Sequence, residues 1–222
     1  HPLFQIQVEA HEQGVLSSAS LMVRWPAARK AAEYARARSQ LGVGLHLDLG
    51  EWVYEAGNWK RLYQVVDEQN AAAVRAELAR QLDAFDGLLG RLPTHIDSHQ
   101  HVHLKEPVRS IVRETAARLG IPIRELSVPF QGAFYGQDGE AVSHLEWVSP
   151  DNMLQILKRI GPGLTEISCH PAAEADLCRQ QHQPYRKQDS NQFPEHWYQD
   201  SAFRPLLPSG EYRELSLPGP SA

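Results

Sequence analysis

The 222 residues carry 22 Lys and Arg against 27 Asp and Glu, a formal net charge of −5, and 42% of them are hydrophobic. That is enough apolar material for one domain with a sizeable core, and the charge balance argues against nucleic acid or an anionic membrane as the main partner. No apolar run approaches the roughly 20 residues of a membrane helix. No basic-then-apolar leader opens the chain, and Cys169 and Cys178 make no disulfide framework, which fits a cytoplasmic location.

The chain opens at His1 in a helix-like pattern, with Phe4, Val8 and His11 on one face. Val15 to Val23 (VLSSASLMV) reads as a strand ended by Trp25-Pro26, Ala27 to Arg38 as a helix, and Val43 to Leu49 (VGLHLDL) as a second strand. The aromatic stretch with Trp52, Tyr54, Trp59 and Tyr63 reads as a long loop or hairpin. Ala71 to Leu89 has the clearest helical spacing, with Gly90 as its stop. A strand THIDSH follows Pro93, then a helix from Glu106 to Leu119 and a strand from Ile121 to Val128.

Pro129 to Gly139 reads as a loop, Pro150 to Ile160 as a helix capped by Ser149, and Leu164 to His170 as a strand. Beyond Pro171 the chain is polar and proline-dotted, with Tyr212 to Leu217 as a last element. Strands alternating with helices predict an α/β fold with a mainly parallel sheet. An open sheet and a barrel give the same pattern. We read residues 1–222 as a single domain, with 172–222 as its less regular C-terminal segment.

The strongest chemical signal is PTHIDSHQHVH, in which His95, Asp97, His99, His101 and His103 occupy alternate positions. A strand has a side-chain period of two, so these groups share a face for as long as the strand persists. His101 and His103 are expected on the turn beyond it. Burying such a face is costly unless it binds something or is tightly paired, and neutral imidazole is a common metal ligand. The bland alternative is a histidine-rich surface loop. His46 is a lone polar group in an apolar strand, with Gly44 and Asp48 on its face, and His170 ends a strand in ISCHPA. Either one alone is as well explained by ordinary hydrogen bonding. Together, three strand-end histidine sites suggest a metal-assisted hydrolase. Neither a phosphate-cradling glycine loop nor a serine nucleophile elbow is present.

THIDSHQHVH, VGLHLDL, AFYGQ, SCHPA and the opening EAHEQGVLSSASLMV occur in the order and at the spacings of the YdjC/ChbG carbohydrate deacetylases, and the chain resembles that family to about Pro171. The resemblance implies a distorted, incomplete (β/α) barrel like that of the NodB-type deacetylases. It also implies a divalent metal, Mg2+ or Zn2+, and removal of acetyl groups from N-acetylglucosamine units of chitooligosaccharides. It makes His46 and His99 metal ligands and His170 a general acid for the departing amine. Asp97 becomes a group that orients a ligand histidine, and His95, His101 and His103 become supporting groups. Arg124 and Tyr135 become substrate contacts.

Family members begin with a strand ending in an Asp-Asp motif that supplies a further metal ligand and the base. That motif is expected before His1, on a first strand that this chain lacks. Members are often dimers, so a homodimer is the expected assembly. Two other readings stay open. One is a metal-dependent phosphoesterase or amidohydrolase, although the basic residues lie mostly on helix faces. The other is a degenerate member that binds sugar or metal without turnover.

Overall fold

The computed structural model describes residues 2–55, 58–136, 144–169 and 202–203. The predicted element Tyr212 to Leu217 lies outside them. In chain order they form α1 (Pro2–Glu12), β1 (Ser18–Leu21), α2 (Ala28–Arg36), β2 (Gly42–Leu47), β3 (Gly50–Glu55), β4 (Asn58–Gln64), α3 (Ala71–Leu89) and β5 (Ile96–Ser98). A 3-10 turn (His99–Leu104), α4 (Val108–Leu119), β6 (Phe130–Gln131), a second 3-10 turn (Leu145–Val148), α5 (Pro150–Arg159), β7 (Glu166–Ile167) and β8 (Ala202–Phe203) follow.

The central sheet has the order β1-β2-β5 with every pair parallel, and Ile123 adds a single parallel bridge to Ile96. β6 pairs in parallel with β7, which pairs antiparallel with β8. Among the described residues the strands do not close into a barrel, in keeping with the expected incomplete one.

The two faces of the central sheet differ because strand side chains alternate. Val43, Leu45 and Leu47 of β2 and Ile96 of β5 join the apolar core with Ala32 of α2, Phe85 of α3 and Val112 of α4. Ser20, Gly44, His46 and Asp97 occupy the opposite positions, so a polar inner face backs onto an apolar helical layer.

Helix α3 matches its predicted span because both ends are signalled in sequence. Asn70 accepts a hydrogen bond from the Ala73 amide, and Gly90 ends the helix in the left-handed region at φ 66°. The aromatic stretch is the hairpin β3–β4, with a bulge between Glu51 and Trp52.

One expectation needs correction. The strand from Ile121 to Val128 shrinks to the bridge at Ile123. Ser127 Oγ accepts from the Ile123 amide, and Glu125 takes φ 61°, so the chain turns out of the sheet. The alternating histidine run is a strand to Ser98, and His101 and His103 lie on the turn beyond it, as expected. The next residues curl into the turn, with Gln100 and His101 at φ 52° and 53°.

Candidate active site

The site lies at the carboxyl ends of β1, β2 and β5, where open parallel sheets present their ligand-binding edge. His46 and Asp97 are register partners on neighbouring strands. His46 Nδ1 donates to Asp97 Oδ1 at 2.8 Å, which makes Nε2 the lone-pair nitrogen. One row away, Ser20 is paired with Gly44. Ser20 reaches over the glycine, donating to Asp97 Oδ2 at 2.8 Å and accepting from His95 Nε2 at 3.0 Å. A Cβ on residue 44 would land inside the His95 ring, so the glycine before His46 is required by packing.

Asp97 is fully buried and also meets Arg124 at 2.7 Å. Burial alone would raise its pKa, but the Arg124 guanidinium and His46 outweigh that and hold the carboxyl below its usual range. Arg124 was expected to touch substrate. Its side chain is 5% exposed and bracketed by Asp97 and by Glu166 at 2.6 Å, so it braces the site from within.

His95 and His103 are interior groups. His95 Nδ1 accepts from Thr94 Oγ1 while Nε2 meets Ser20. His103 Nε2 donates to the Arg124 carbonyl at 3.2 Å, and its Nδ1 accepts from Ser98 Oγ at 2.6 Å. Burial pushes both imidazoles down to about 4. With both ring nitrogens engaged, neither is a metal ligand in this geometry.

His101 turns outward, pairs with Glu125 at 2.7 Å and lies edge-on to Phe130. Tyr135 sits half-buried on the turn after β6, its amide donating to the Gly132 carbonyl. His170 lies outside the described residues.

His99 is buried at the start of the turn, and its ring centre is 5.9 Å from that of His46, edge to face. An ion held at about 2.1 Å from an imidazole nitrogen stands roughly 3 Å from the ring centre, so rings up to about 6 Å apart can share one. His46 and His99 therefore fit two ligands of a cation, with Asp97 behind one of them as metal-bound imidazoles usually require. Among the described residues, no group of three His, Cys, Asp or Glu is placed to hold an ion together.

Sequence reasoning missed Ser20, Glu166 and Gln100. Ser18 and Ser20, two apart in VLSSASLMV, mark a polar strand face, and Glu166 is a lone acid inside an apolar strand. Gln100, beside His99, clamps the hairpin: Oε1 accepts from the Trp52 amide at 2.9 Å and Nε2 donates to the Trp52 carbonyl at 2.5 Å. Nothing in the sequence pattern signals that pairing.

An open parallel sheet with imidazole and carboxylate groups on the carboxyl edge of its inner face defines an α/β protein with a polar, ligand-binding edge. The model of the YdjC-like protein family matches residues 7–203, and the chain belongs to that family. A carbohydrate deacetylase of Geobacillus stearothermophilus is 35% identical over 185 residues, covering 74% of this chain and 71% of that protein. A chitooligosaccharide deacetylase of Salmonella paratyphi B is 31% identical over 202 residues, covering 78% and 77%. A solved structure from Enterococcus faecalis V583, named for cellobiose-phosphate cleavage, superposes with a TM-score of 0.60 over 80% of this chain and 78% of its own, at 24% identity. That likeness bears on the fold alone.

Proposed function

We propose that the chain is a hydrolase that removes the acetyl group from N-acetylated sugars, the N-acetylglucosamine units of chitooligosaccharides among them. The observation that carries this reading is the convergence of His46 and His99, with His46 oriented by a buried, ionised Asp97. The names of the relatives agree with it.

A divalent cation, Zn2+ or Mg2+, held by His46 and His99 would polarise the acetyl carbonyl and lower the pKa of attacking water. The chain's own residues do the positioning. Asp97 fixes the His46 tautomer, Ser20 and Arg124 fix Asp97, and the neutral His95 and His103 fill the inner face without adding charge beside the site. His170 is the proposed proton donor to the leaving nitrogen, and Tyr135 a substrate contact. The same reading carries a cytoplasmic location and a homodimer, the latter checked by light scattering.

The test is acetate release from N,N′-diacetylchitobiose by the full-length protein, with and without added metal. His99→Ala should abolish it, and full turnover by that variant would remove His99 from the ligand set. A second reading, sugar or metal binding without turnover, is favoured by the lack of a three-donor cluster among the described residues. Binding of the disaccharide with no acetate released would select it.

A further inference from the structure

Beside the His46–His99 pair lies a second polar group that the proposed chemistry does not use. Asp48 is two residues past His46, on the same face of the chain, and fully buried. Its carboxylate is already served: Arg24 donates to Oδ2 at 3.1 Å, while the Tyr63 hydroxyl and the Gly50 amide donate to Oδ1 at 2.9 and 3.2 Å. Glu51 is different. It is 9% exposed, and its carboxyl oxygens, which make no hydrogen bond or ion pair among the described residues, are not sealed from solvent.

Three constraints place Glu51. It pairs with Tyr63 across the hairpin, and directly opposed residues share a face. Tyr63 directs its hydroxyl at Asp48, so Glu51 faces the same cluster. The next residue, Trp52, has its backbone clamped both ways to Gln100, the neighbour of His99. Glu51 is thus strung between a residue two from His46 and a residue tied to the neighbour of His99.

A largely buried carboxyl at the rim of a candidate site, with its oxygens still open, is placed to take hydrogen bonds from a ligand. Burial, followed by the charge of Asp48, raises the Glu51 pKa to about 7. Near neutrality the carboxyl therefore exists in both forms, and a sugar hydroxyl, being donor and acceptor at once, satisfies either. The Arg24 side chain, 32% exposed, presents donors at the same edge.

We propose that Glu51, with Arg24 beside it, is a substrate-contacting subsite that hydrogen-bonds ring hydroxyls of the sugar whose acetamido group lies at His46 and His99. The inference rests on the deacetylase reading for its substrate class. Glu51 sets affinity, and the chemistry stays with the histidines.

The test uses the full-length protein, Glu51→Ala and the shape-preserving Glu51→Gln, whose folding is checked by their melting curves. Diacetylchitobiose binding is measured by calorimetry and acetate release by kinetics. We expect Glu51→Ala to raise both Kd and KM about tenfold with kcat within twofold, and Glu51→Gln to recover part of the loss because an amide still donates and accepts. Unchanged Kd and KM in Glu51→Ala, with acetate still released by the wild type, overturn the subsite and leave the deacetylase reading standing. Sugar bound by the wild type and weakened in Glu51→Ala, with no acetate from either, keeps the subsite and removes the deacetylase reading. A wild type that neither binds nor cleaves the disaccharide overturns both. Loss of zinc affinity in Glu51→Ala equal to that in His99→Ala overturns the subsite in favour of a metal-ligand role.

Discussion

His46 and Asp97 face each other across the β2–β5 ladder with Nδ1 and Oδ1 2.8 Å apart, and both are buried. The pairing sets which imidazole nitrogen is left to bind. Asp97→Asn keeps the shape but removes the charge, so His46 can present either tautomer. We expect zinc or cobalt affinity to fall by roughly 10–100-fold, the usual cost of losing such a backing group, as read by calorimetry and by the cobalt absorption spectrum. Unaltered affinity would mean that Asp97 does not orient His46.

Gly44 predicts a purely steric effect. Gly44→Ala drives a methyl group into the His95 ring, which Ser20 and Thr94 hold from both ends. Overpacking of this kind costs about 1–3 kcal/mol, and urea unfolding should show a lowered midpoint with an unchanged slope.

The interior histidines predict acid sensitivity. His95 and His103 titrate near 4 in the folded protein because burial opposes their charge, against 6.5 for a free imidazole. Between those values the unfolded chain binds protons that the native chain refuses, so stability is lost as pH falls from about 6.5 to about 4. Each ring contributes up to about 3 kcal/mol across that window, at 1.36 kcal/mol per pKa unit. Urea midpoints at pH 7.5 and 4.5 should differ accordingly, and imidazole proton shifts should show both rings neutral at pH 5. Asp97 adds no slope there, because a lowered carboxyl pKa gives stability that is constant above the free value of 3.8 and is lost only below it.

Glu51 predicts the opposite slope. Its folded pKa of about 7 lies above the 4.5 of a free carboxyl, so the native state holds a proton that the unfolded chain releases, and stability falls as pH rises from 4.5 to 7. Glu51→Gln removes this dependence. It should be more stable than the wild type at pH 8 by on the order of 1–2 kcal/mol, with a smaller difference at pH 4.5, after allowance for the solvent that reaches the group. Equal urea midpoints at pH 8 would contradict the assigned environment. A gain in stability accompanied by weaker sugar binding is the expected trade at a functional position.

How much of this was readable beforehand differs by element. Helix α3 was legible to the residue because Asn70 and Gly90 are local signals. The meeting of His46 and the PTHIDSH strand at one site was implied by a histidine in one strand and alternating polar groups in the other, while their direct pairing came from the structure. The end of β5 was legible to within a residue, but the contact that ends it was not. Ser98 Oγ accepts from the His103 amide at 3.0 Å, and that contact converts an alternating sequence into a turn. The bracket around Arg124 was not legible for a related reason: it depends on Glu166, which is distant in sequence, and no local pattern foretells a buried ion pair of that span. Glu51 carried no periodic signal at all, because its burial comes from tertiary contacts of the hairpin, Tyr63 with Asp48 and Trp52 with Gln100.

The bracket around Arg124 also bears on how the protein is made. Glu166 follows Arg124 by 42 positions, so a ribosome exposes the first strands and helices well before the second carboxylate exists. Until it arrives, the guanidinium lacks one of its two anionic neighbours while already destined for the interior. The nascent N-terminal half should therefore settle its inner face late, when β7 emerges, and a message truncated ahead of that codon should yield a product marked for degradation rather than a smaller working protein.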